Sequence, residues 1–461
     1  MLIYNSLTRQ KSKFIPIEPN KVKMYVCGMT IYDYCHIGHA RMLMTFDMVA
    51  RYFRVSGYDV TFVQNITDID DKIINRANEN GESIDELTAR FIDYMHEDLR
   101  TLKVNPPDIE PRATGHIPQI IEMISLLIEK GHAYQSESGD VLYEVATFPT
   151  YGKLTNQKLD ELQAGQRIEV DKTKRHPYDF VLWKSSKPNE PAWDSPWGKG
   201  RPGWHIECSA MCRSTLGDKF DIHGGGLDLK FPHHEGEIAQ SEPICGEKHV
   251  NYWMHNGFVN VDNEKMSKSL GNFFTIRDVL KQFSGEVVRF FLLGTHYRSP
   301  LNYSDAGLND AKSGLERLYT ALRGRDTDNP IGVEQLKSTY PAFFAAMDDD
   351  FNSAKAISEL FGIAKKLNKT TDKAEQKQLA SELKSLGDIL GLLQDNPETF
   401  LQNGGQTDSD VNTDDIDALI EQRNTARAEK DFATADKIRD QLNEMGVEIE
   451  DAGGKTTWRL K

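Results

Sequence analysis

The chain has 461 residues, too many for one compact core, so we expect about two to four domains. Hydrophobic residues make up 39% and charged residues 27%, a composition typical of soluble proteins. The formal net charge of −15 counts against attraction of nucleic acid by the whole surface, although a locally basic groove can still hold RNA. The first residues lack the apolar core of a signal peptide, and no apolar run is long enough to span a membrane. We therefore expect a cytoplasmic protein without a membrane partner.

An odd number of cysteines, in a long chain without an export signal, argues against a disulfide framework. Metal binding, reactivity and simple burial are the alternatives. The five cysteines are Cys27, Cys35, Cys208, Cys212 and Cys245.

The first hundred residues show the pattern of a βαβ unit. Met24–Gly28 is an apolar strand candidate, and apolar residues at helical spacing run from His36 to a stop at Gly57. A second strand candidate, Asp59–Gln64, follows, and a further helix begins near Asp70. Such a unit predicts a parallel sheet with its ligand site at the carboxyl ends of the strands.

The rest of the chain divides by composition. A segment rich in proline and tryptophan, 113–200, has the character of an insertion between two halves of the sheet domain. Beyond Pro300 the apolar spacing is helical, and a polar linker at Gln402–Asn412 precedes a terminal module of two helices and one strand. The predicted helices of the second half are Ala306–Arg323, Leu336–Asp349, Ser353–Lys366 and Ala374–Leu393.

Two short motifs have side chains suited to phosphate. In His36–His39 two histidines flank an isoleucine and Gly38 where the first strand passes into its helix, so that backbone N–H groups and imidazoles meet an anion. In Lys265–Ser269 two lysines and two serines occupy a loop that can hold a leaving pyrophosphate. Each motif alone is better explained as solvated surface. Together and in this order, they resemble the signature motifs of the class I aminoacyl-tRNA synthetases.

A third group of side chains has the composition of a zinc site. Cys27 ends the first strand, Cys208 follows a tryptophan-histidine pair, and His233 and Glu237 share one face if their segment is helical. Zinc accepts sulfur, nitrogen and oxygen ligands, and ligands scattered over strand ends favour a metal at the mouth of the sheet. Spacing alone does not establish this site, because a lone cysteine is usually part of a core.

Four sequence segments resemble the cysteinyl-tRNA synthetase family, and the similarity extends over essentially the whole chain. The segments are Tyr25–Gly28, Trp204–Met211, His223–Gly226 and Phe231–Glu235. The resemblance implies one zinc ion per subunit on Cys27, Cys208, His233 and Glu237. It also implies an α/β fold, in which a Rossmann-type parallel-sheet catalytic domain with an insertion is followed by an α-helical bundle and a small C-terminal anticodon-binding domain. The expected boundaries are 1–112 and 201–262 for the catalytic domain, 113–200 for the insertion, 263–315 for the lysine-loop domain, 316–401 for the bundle and 413–461 for the C-terminal domain.

The resemblance implies that the enzyme activates L-cysteine with ATP and Mg²⁺, and then esterifies the terminal adenosine of tRNA-Cys. A hydrophobic pocket separates cysteine poorly from serine, whereas zinc prefers a thiolate. Four protein ligands fill a tetrahedron, so bound cysteine either makes the metal five-coordinate or displaces a ligand such as Glu237. The expected catalytic residues are His36, His39, Lys265 and Lys268, and the expected ATP-binding residues are Gly38, Gly224, Gly225, Asp228 and Lys268. The expected cysteine-pocket residues are Gly28, Thr67, Trp204 and His223, and the expected anticodon contacts are Arg423, Arg427, Phe432, Arg439 and Trp458.

Three other interpretations are weighed against this one. A ligase that transfers cysteine to an amino sugar lacks a complete anticodon-binding end, whereas this chain continues to Trp458. Other class I synthetases lack the four-residue zinc set. A non-catalytic RNA-binding relative tends to lose its motif histidines and lysines, which are intact here. No self-association segment is evident, so we expect a monomer.

Overall fold

The structure is a computed structural model that describes residues 1–157, 174–188, 190–261, 264–266, 273–403, 413–452 and 455–460. Its strands are β1 (Leu2–Asn5), β2 (Gln10–Lys13), β3 (Lys21–Thr30), β4 (Asp59–Thr67), β5 (Ala133–Gln135), β6 (Val141–Tyr143), β7 (Phe180–Ser185), β8 (Gly200–Pro202), β9 (Phe220–Gly226), β10 (Val250–Asn256), β11 (Val259–Val261), β12 (Glu264–Lys265), β13 (Leu301–Tyr303), β14 (Val447–Ala452) and β15 (Lys455–Leu460). Its helices are α1 (Ile37–Val55), α2 (Asp71–Asn80), α3 (Ile84–Thr101), α4 (Ile117–Glu129), α5 (Trp204–Leu216), α6 (His233–Cys245), α7 (Ile276–Leu280), α8 (Gly285–Leu293), α9 (Asp305–Leu322), α10 (Val333–Thr339), α11 (Pro341–Asp348), α12 (Ser353–Leu367), α13 (Lys373–Ile389), α14 (Pro397–Gln402), α15 (Thr413–Ala428) and α16 (Phe432–Glu444).

The central sheet has the strand order β10-β9-β3-β4, and all of its neighbours are parallel. The connection from β3 through α1 to β4 is the βαβ unit that the sequence predicts. Near its carboxyl end β3 shifts register against β4, between Val26 and Met29. The carboxyl ends of β3, β4, β9 and β10 therefore meet at one edge, where the switch in strand order places a crevice.

Helix α1 is buried on nearly every side, because it packs between the sheet and the helices of the second half. Met42, Phe46 and Phe53 contribute to the largest apolar core, which also takes in residues from α8 to α13. His36 caps the helix by accepting a hydrogen bond from the backbone N–H of His39. The residues that precede α1 are thereby held at the crevice.

The chain between α4 and α5 forms a separate antiparallel sheet of order β5-β6-β7-β8. It has its own apolar core with α4 and the adjoining face of α5. Two cations of this sheet, Lys184 and Arg201, pair with Asp71 at the start of α2. These ion pairs fix the insertion against the catalytic sheet.

A small three-stranded sheet of order β12-β11-β13 follows β10. β11 and β12 are antiparallel, with Lys265 opposite Asn260, and β11 is parallel to β13. Lys268 lies outside the described residues, and Lys265 is described through its backbone. The lysine loop thus extends from a hairpin that continues directly from the central sheet.

The second half is helical, as predicted, although two predicted helices differ from the observed ones. The predicted helix Leu336–Asp349 is two helices, α10 and α11, because Tyr340 precedes Pro341 and has the non-helical angles φ −123° and ψ 55°. The predicted helix to Leu393 ends at Ile389, and Gly391 follows in the left-handed region at φ 67°.

The terminal module contains two strands where one was predicted. α15 and α16 pack on an antiparallel hairpin of β14 and β15, around a core that includes Ile416, Leu442 and Trp458. Arg323, which directly follows α9, donates to the carbonyl of Trp458 at 2.7 Å, which connects the module to the bundle. None of the described helices combines the length and the apolar character that crossing a membrane requires.

Candidate active site

A cavity of about 390 Å³ lies at the carboxyl edge of the central sheet. It brings together residues from β3, the start of α1, the end of β4, and α5, together with residues after β9 and β10. Ten of the residues singled out in the sequence line it: Cys27, Gly28, His36, Gly38, His39, Thr67, Trp204, Cys208, Asp228 and His233.

Four donor side chains converge on one wall of this cavity. The sulfur atoms of Cys27 and Cys208 are 3.6 Å apart, and Cys27 Sγ is 3.4 Å from Glu237 Oε1. His233 Nε2 is 3.2 Å from the same carboxylate oxygen, one helical turn away on α6. One ligand atom from each residue lies within 4.8 Å of all the others, and all four residues are buried. The sequence prediction that these residues share a site agrees with this placement.

These separations fit a tetrahedral zinc site. Two thiolates bound at about 2.3 Å to one tetrahedral zinc ion are about 3.8 Å apart, and nitrogen and oxygen ligands lie slightly closer. The observed 3.6, 3.4 and 3.2 Å follow that order. Burial raises the pKa of the Cys27 thiol well above its ordinary value, and the neighbouring Cys208 and Glu237 raise it further. A divalent cation would relieve this crowding of acidic groups.

The histidine ligand is oriented by its neighbours. Nδ1 of His233 lies 3.0 Å from Nδ1 of His205, which leaves Nε2 directed at the cluster. The indole of Trp204 stacks on the His233 ring at a centroid distance of 4.5 Å. Burial lowers the pKa of His233 to about 3, so the imidazole is neutral, which is the form that binds a metal.

A second donor set shares Cys27 and Glu237 but replaces Cys208 and His233 by His223 and His234. The first set fits zinc better, because it has two thiolates and because Cys27, Cys208 and His233 line the cavity. His223 is fully buried and its Nε2 lies 2.9 Å from Glu237 Oε2. His223 is not among the described residues that line the cavity, so its contact is with Glu237 and its predicted place in the cysteine pocket is not observed.

The histidine turn lines the same cavity. The rings of His36 and His39 are stacked, with centroids 3.5 Å apart. Nδ1 of each ring accepts the backbone N–H of the other residue at 3.3 Å. Since Nδ1 is an acceptor, a neutral ring carries its proton on Nε2. Both side chains are then hydrogen-bond donors at the positive end of α1, an arrangement suited to phosphate oxygens.

Both ends of the lysine loop are tied to this turn. After the loop, the carbonyl of Phe274 accepts from the N–H of Ile37 at 3.2 Å, and the carbonyl of Cys35 accepts from the N–H of Ile276 at 2.8 Å. Before the loop, the methyl group of Met266 lies 3.4 Å from the place of a β-carbon on Gly38. Met266 and Phe273, the described residues on either side of 267–272, line the same cavity as the histidine turn, although about 230 residues separate the two motifs along the chain.

The glycines near the cavity differ in whether they permit close packing or line the cavity. A β-carbon on Gly224 would lie 2.3 Å from the ring of Phe46, so Gly224 permits α1 to pack on the sheet. A β-carbon on Gly225 would meet the His234 ring at 2.9 Å. Of the described glycines of β9, Gly226 lines the cavity, next to Asp228.

Several cavity residues went unnoticed in the sequence. Asn256, at the end of β10, is 4% exposed and its Oδ1 has no hydrogen-bond partner. Asn256 could have been recognised from the sequence, because a polar residue at the carboxyl end of a parallel strand is a binding-site candidate. Tyr32 and Lys72 also line the cavity, with the Lys72 ammonium 5.6 Å from the Tyr32 ring centre. No local pattern distinguishes these two from ordinary surface residues.

The residues singled out in the terminal module fall into two groups. Trp458 is 2% exposed and donates from its indole nitrogen to Asp417, and Arg423 is buried in a bidentate pair with Asp451. These two residues hold the module together. The surface-exposed group consists of Phe432, Arg427 and Arg439.

Comparison with known proteins identifies the class to which this fold and site belong. The family model described as "tRNA synthetases class I (C) catalytic domain" matches residues 13–313. A DALR domain matches residues 342–394, and a cysteinyl-tRNA ligase anticodon binding domain matches 411–459. Among solved structures, methionyl-tRNA synthetase of Mycobacterium tuberculosis covers 80% of this chain and 89% of its own at a TM-score of 0.55 and 16% identity. Agrobacterium radiobacter LeuRS covers 86% of both chains at a TM-score of 0.59 and 13% identity. The chain is a class I aminoacyl-tRNA synthetase, with the predicted α/β fold.

Relatives of higher identity specify the family. Cysteine–tRNA ligase of Methylococcus capsulatus is 59% identical over 99% of both chains. The enzymes of Shewanella baltica and Neisseria meningitidis are 59% and 57% identical over at least 99% of each chain. The chain belongs to the cysteine–tRNA ligase family, whose reaction joins an amino acid to tRNA with ATP. The terminal anticodon domain decides against the amino-sugar ligase that the sequence alone left open.

Proposed function

We propose that this enzyme recognises the thiol of L-cysteine with one zinc ion per subunit, activates cysteine as cysteinyl-adenylate, and esterifies the 3′-terminal adenosine of tRNA-Cys. One observation carries the proposal: of the four clustered donors, Cys27, Cys208 and His233 line the same cavity as the histidine turn, and Glu237 adjoins them. A metal that binds the thiol of cysteine and donors suited to phosphate are thus available in one cavity.

Cys27, Cys208, His233 and Glu237 would hold the zinc ion. When bound, zinc supplies a borderline-soft Lewis acid that prefers the thiolate of cysteine to the hydroxyl of serine and lowers the thiol pKa. His205 and His223 fix the two ligands of α6 in place. Gly28, Thr67 and Trp204 complete this end of the cavity.

The activation step requires an anion site beside the amino acid. The cysteine carboxylate attacks the α-phosphorus of ATP, the bond to the bridging oxygen breaks, and pyrophosphate leaves. His36 and His39 donate to the phosphate oxygens as charge develops on them, and Lys265 and Lys268 neutralise the leaving group together with Mg²⁺. Gly38 and Gly226 let the adenosine lie close to the backbone. The carboxylate of Asp228 accepts hydrogen bonds from the ribose hydroxyl groups.

The tRNA is bound at a second place, the terminal module. Phe432 is 63% exposed at the start of α16 and Arg427 and Arg439 are exposed on the same module. An exposed aromatic ring is suited to stacking on an unpaired base, and exposed arginines are suited to contacts with phosphate. This assignment narrows the five predicted anticodon contacts to these three.

ATP–pyrophosphate exchange with cysteine, serine and alanine, before and after zinc removal, tests the proposal. We expect exchange with cysteine alone, which is lost without zinc and restored when zinc is returned. The Lys268→Ala variant is expected to lower exchange about 100-fold, since one charge-stabilising donor contributes about that much. Exchange that is indifferent to zinc, or equal with serine, contradicts the thiol-recognition role. Undiminished exchange in Lys268→Ala contradicts the role of the lysine loop.

A further inference from the structure

Arg41 is a buried arginine whose partners are carbonyl groups. It lies on α1, two residues beyond His39, and is 1% exposed. One terminal nitrogen donates to the carbonyl of Phe258 at 2.8 Å. The other donates to the carbonyl of Ser299 and, at 3.4 Å, to those of His296 and Tyr297. The guanidinium therefore bridges two stretches of backbone that are far apart in sequence.

This arrangement is expensive for the folded state. Burial lowers the pKa of Arg41 to about 10, and no carboxylate of the described chain pairs with it. Its Nε atom has no hydrogen-bond partner. A buried cation without a counter-ion is destabilising unless its hydrogen bonds compensate, and an apolar side chain would fill the space at lower cost. The position therefore calls for a role other than stability.

The two bridged stretches are the base of the lysine hairpin. Phe258 separates β10 from β11, and its carbonyl also accepts from Leu301 at the start of β13, at 3.0 Å. Gly257 donates to the carbonyl of Tyr297 at 2.8 Å, and a β-carbon on Gly257 would lie 2.6 Å from the carbonyl oxygen of Ser299. A side chain at position 257 would therefore not fit between Gly257 and the loop 296–299. The contact with Arg41 is made with closely packed backbone.

The same loop is held from its other side by the bundle. Asp350, which is fully buried, accepts from the Tyr297 hydroxyl at 2.9 Å and from Arg298 Nε at 2.7 Å. The loop 296–299 is thus clamped between Asp350 and Arg41. A shift of this loop would move β13, and with it β11 and the hairpin that ends at Lys265.

We propose that Arg41 is a positioning residue for the activation step, which holds the base of the lysine hairpin at a fixed distance from the histidine turn. Arg41 does not line the cavity within the described residues and acts through the hairpin. The inference rests on the proposed phosphate roles of His36, His39, Lys265 and Lys268. Lysine cannot replace the arginine, because the two terminal nitrogens of a planar guanidinium reach the carbonyls of Phe258 and Ser299 at the same time, whereas an ammonium group has a single nitrogen.

The test compares two steps in Arg41→Lys. We expect the rate constant of cysteine-dependent pyrophosphate exchange to fall about 10- to 100-fold, the loss that a small misplacement of reacting groups produces. Transfer of cysteine from preformed enzyme-bound adenylate to tRNA, in a single turnover, is expected to stay within about twofold, because no pyrophosphate leaves in that step. A loss of folded enzyme lowers both rates equally, and that result would overturn the proposal.

Arg289→Lys is the matched control. Arg289 is fully buried, binds the carbonyl of Leu390 at 2.7 Å and pairs with Asp47 of α1, away from the hairpin. Its lysine variant is expected to lower the unfolding temperature and to leave the ratio of activation to transfer unchanged. An equal change of that ratio in both variants would show that loss of any buried arginine suffices, and would overturn the proposal.

A double-mutant cycle with Lys268→Ala shows whether Arg41 acts through the loop. We expect Arg41→Lys to slow exchange less than about threefold in the Lys268→Ala background, because the positioned group is already absent. Full additivity contradicts the proposal. If Lys268→Ala alone leaves the rate of pyrophosphate exchange unchanged, the proposed role of the lysine loop is refuted. If Lys268→Ala slows exchange but Arg41→Lys does not, only the positioning role of Arg41 is refuted.

Discussion

The sulfur atoms of Cys27 and Cys208 lie 3.6 Å apart, although 181 residues separate the two cysteines along the chain. Cys27 lies on β3 of the central sheet, and Cys208 lies in the second turn of α5, which packs against β3 and β4. The insertion with its own sheet lies between them in sequence. The packing of α5 on β3 and β4 is thus what brings the two thiols together.

Zinc content distinguishes Cys208 from Cys212. Both cysteines lie on α5 one turn apart and are 2% and 4% exposed, but Cys208 belongs to the donor cluster and Cys212 does not. We expect Cys208→Ser to retain less than about a fifth of the zinc of the unaltered enzyme, because a serine hydroxyl is a poor zinc ligand. Cys212→Ser is expected to retain about one zinc per chain. Metal analysis of both purified variants gives the answer, and equal zinc contents would refute the ligand assignment.

Gly28 is expected to tolerate no side chain. A β-carbon there would lie 1.7 Å from the carbonyl oxygen of Asn65, where β3 and β4 come close at the cysteine pocket. We expect Gly28→Ala to lower the free energy of unfolding by about 3 kcal/mol, the upper range for overpacking a core. Gly115→Ala is the control, since no atom lies within 4 Å of its β-carbon position. Urea unfolding of both variants measures the difference. Equal stability of the two would contradict the steric argument.

Phe432 is expected to contribute to tRNA binding without contributing to activation. Its ring is 63% exposed, and one stacked base contributes about 1 to 3 kcal/mol. We therefore expect Phe432→Ala to raise the KM for tRNA about fivefold or more and to leave pyrophosphate exchange unchanged. Met445→Ala removes another exposed apolar side chain, 41% exposed, from the same module and is the control. A similar KM in both variants would exclude a stacking role for Phe432.

Glu286 is expected to make stability depend on pH near neutrality. Burial raises its pKa from 4.5 to about 7, and it accepts a hydrogen bond from Tyr319 at 2.7 Å. Between these two pH values the folded state binds the proton more tightly than the unfolded chain does, so stability falls as the pH rises through this range and levels off above about pH 7. The full difference corresponds to about 3 kcal/mol.

The Glu286→Gln variant cannot ionise and tests this dependence. We expect its thermal-unfolding midpoint to vary less than that of the unaltered protein between about pH 5 and pH 8. Glu334→Gln, whose side chain is 86% exposed, controls for removal of a negative charge at the surface. Parallel pH profiles for the unaltered protein and Glu286→Gln would show that Glu286 ionises with an ordinary pKa.

Local patterns in the chain were sufficient to predict the βαβ unit and the helical second half, whereas the candidate site residues were predicted by family resemblance. Helical and strand spacing are properties of short segments, and the cap of α1 at His36 depends on residues within one turn. The same local view missed the break at Tyr340–Pro341 and the second strand of the terminal module. A strand is stable through its partner, and the hairpin partner was not evident in the sequence.

The roles of individual residues depend on contacts that no segment contains. Residue type and family resemblance predicted a zinc set. The distances that make Cys27, Cys208, His233 and Glu237 one cluster arise when α5 packs against β3 and α6 packs against α5. Arg41 is similar: its sequence context predicts an ordinary helical arginine, and its importance follows from carbonyl groups more than 200 residues away. Spacing along a chain describes which side chains share a face, whereas burial and long-range hydrogen bonds determine what each side chain meets there.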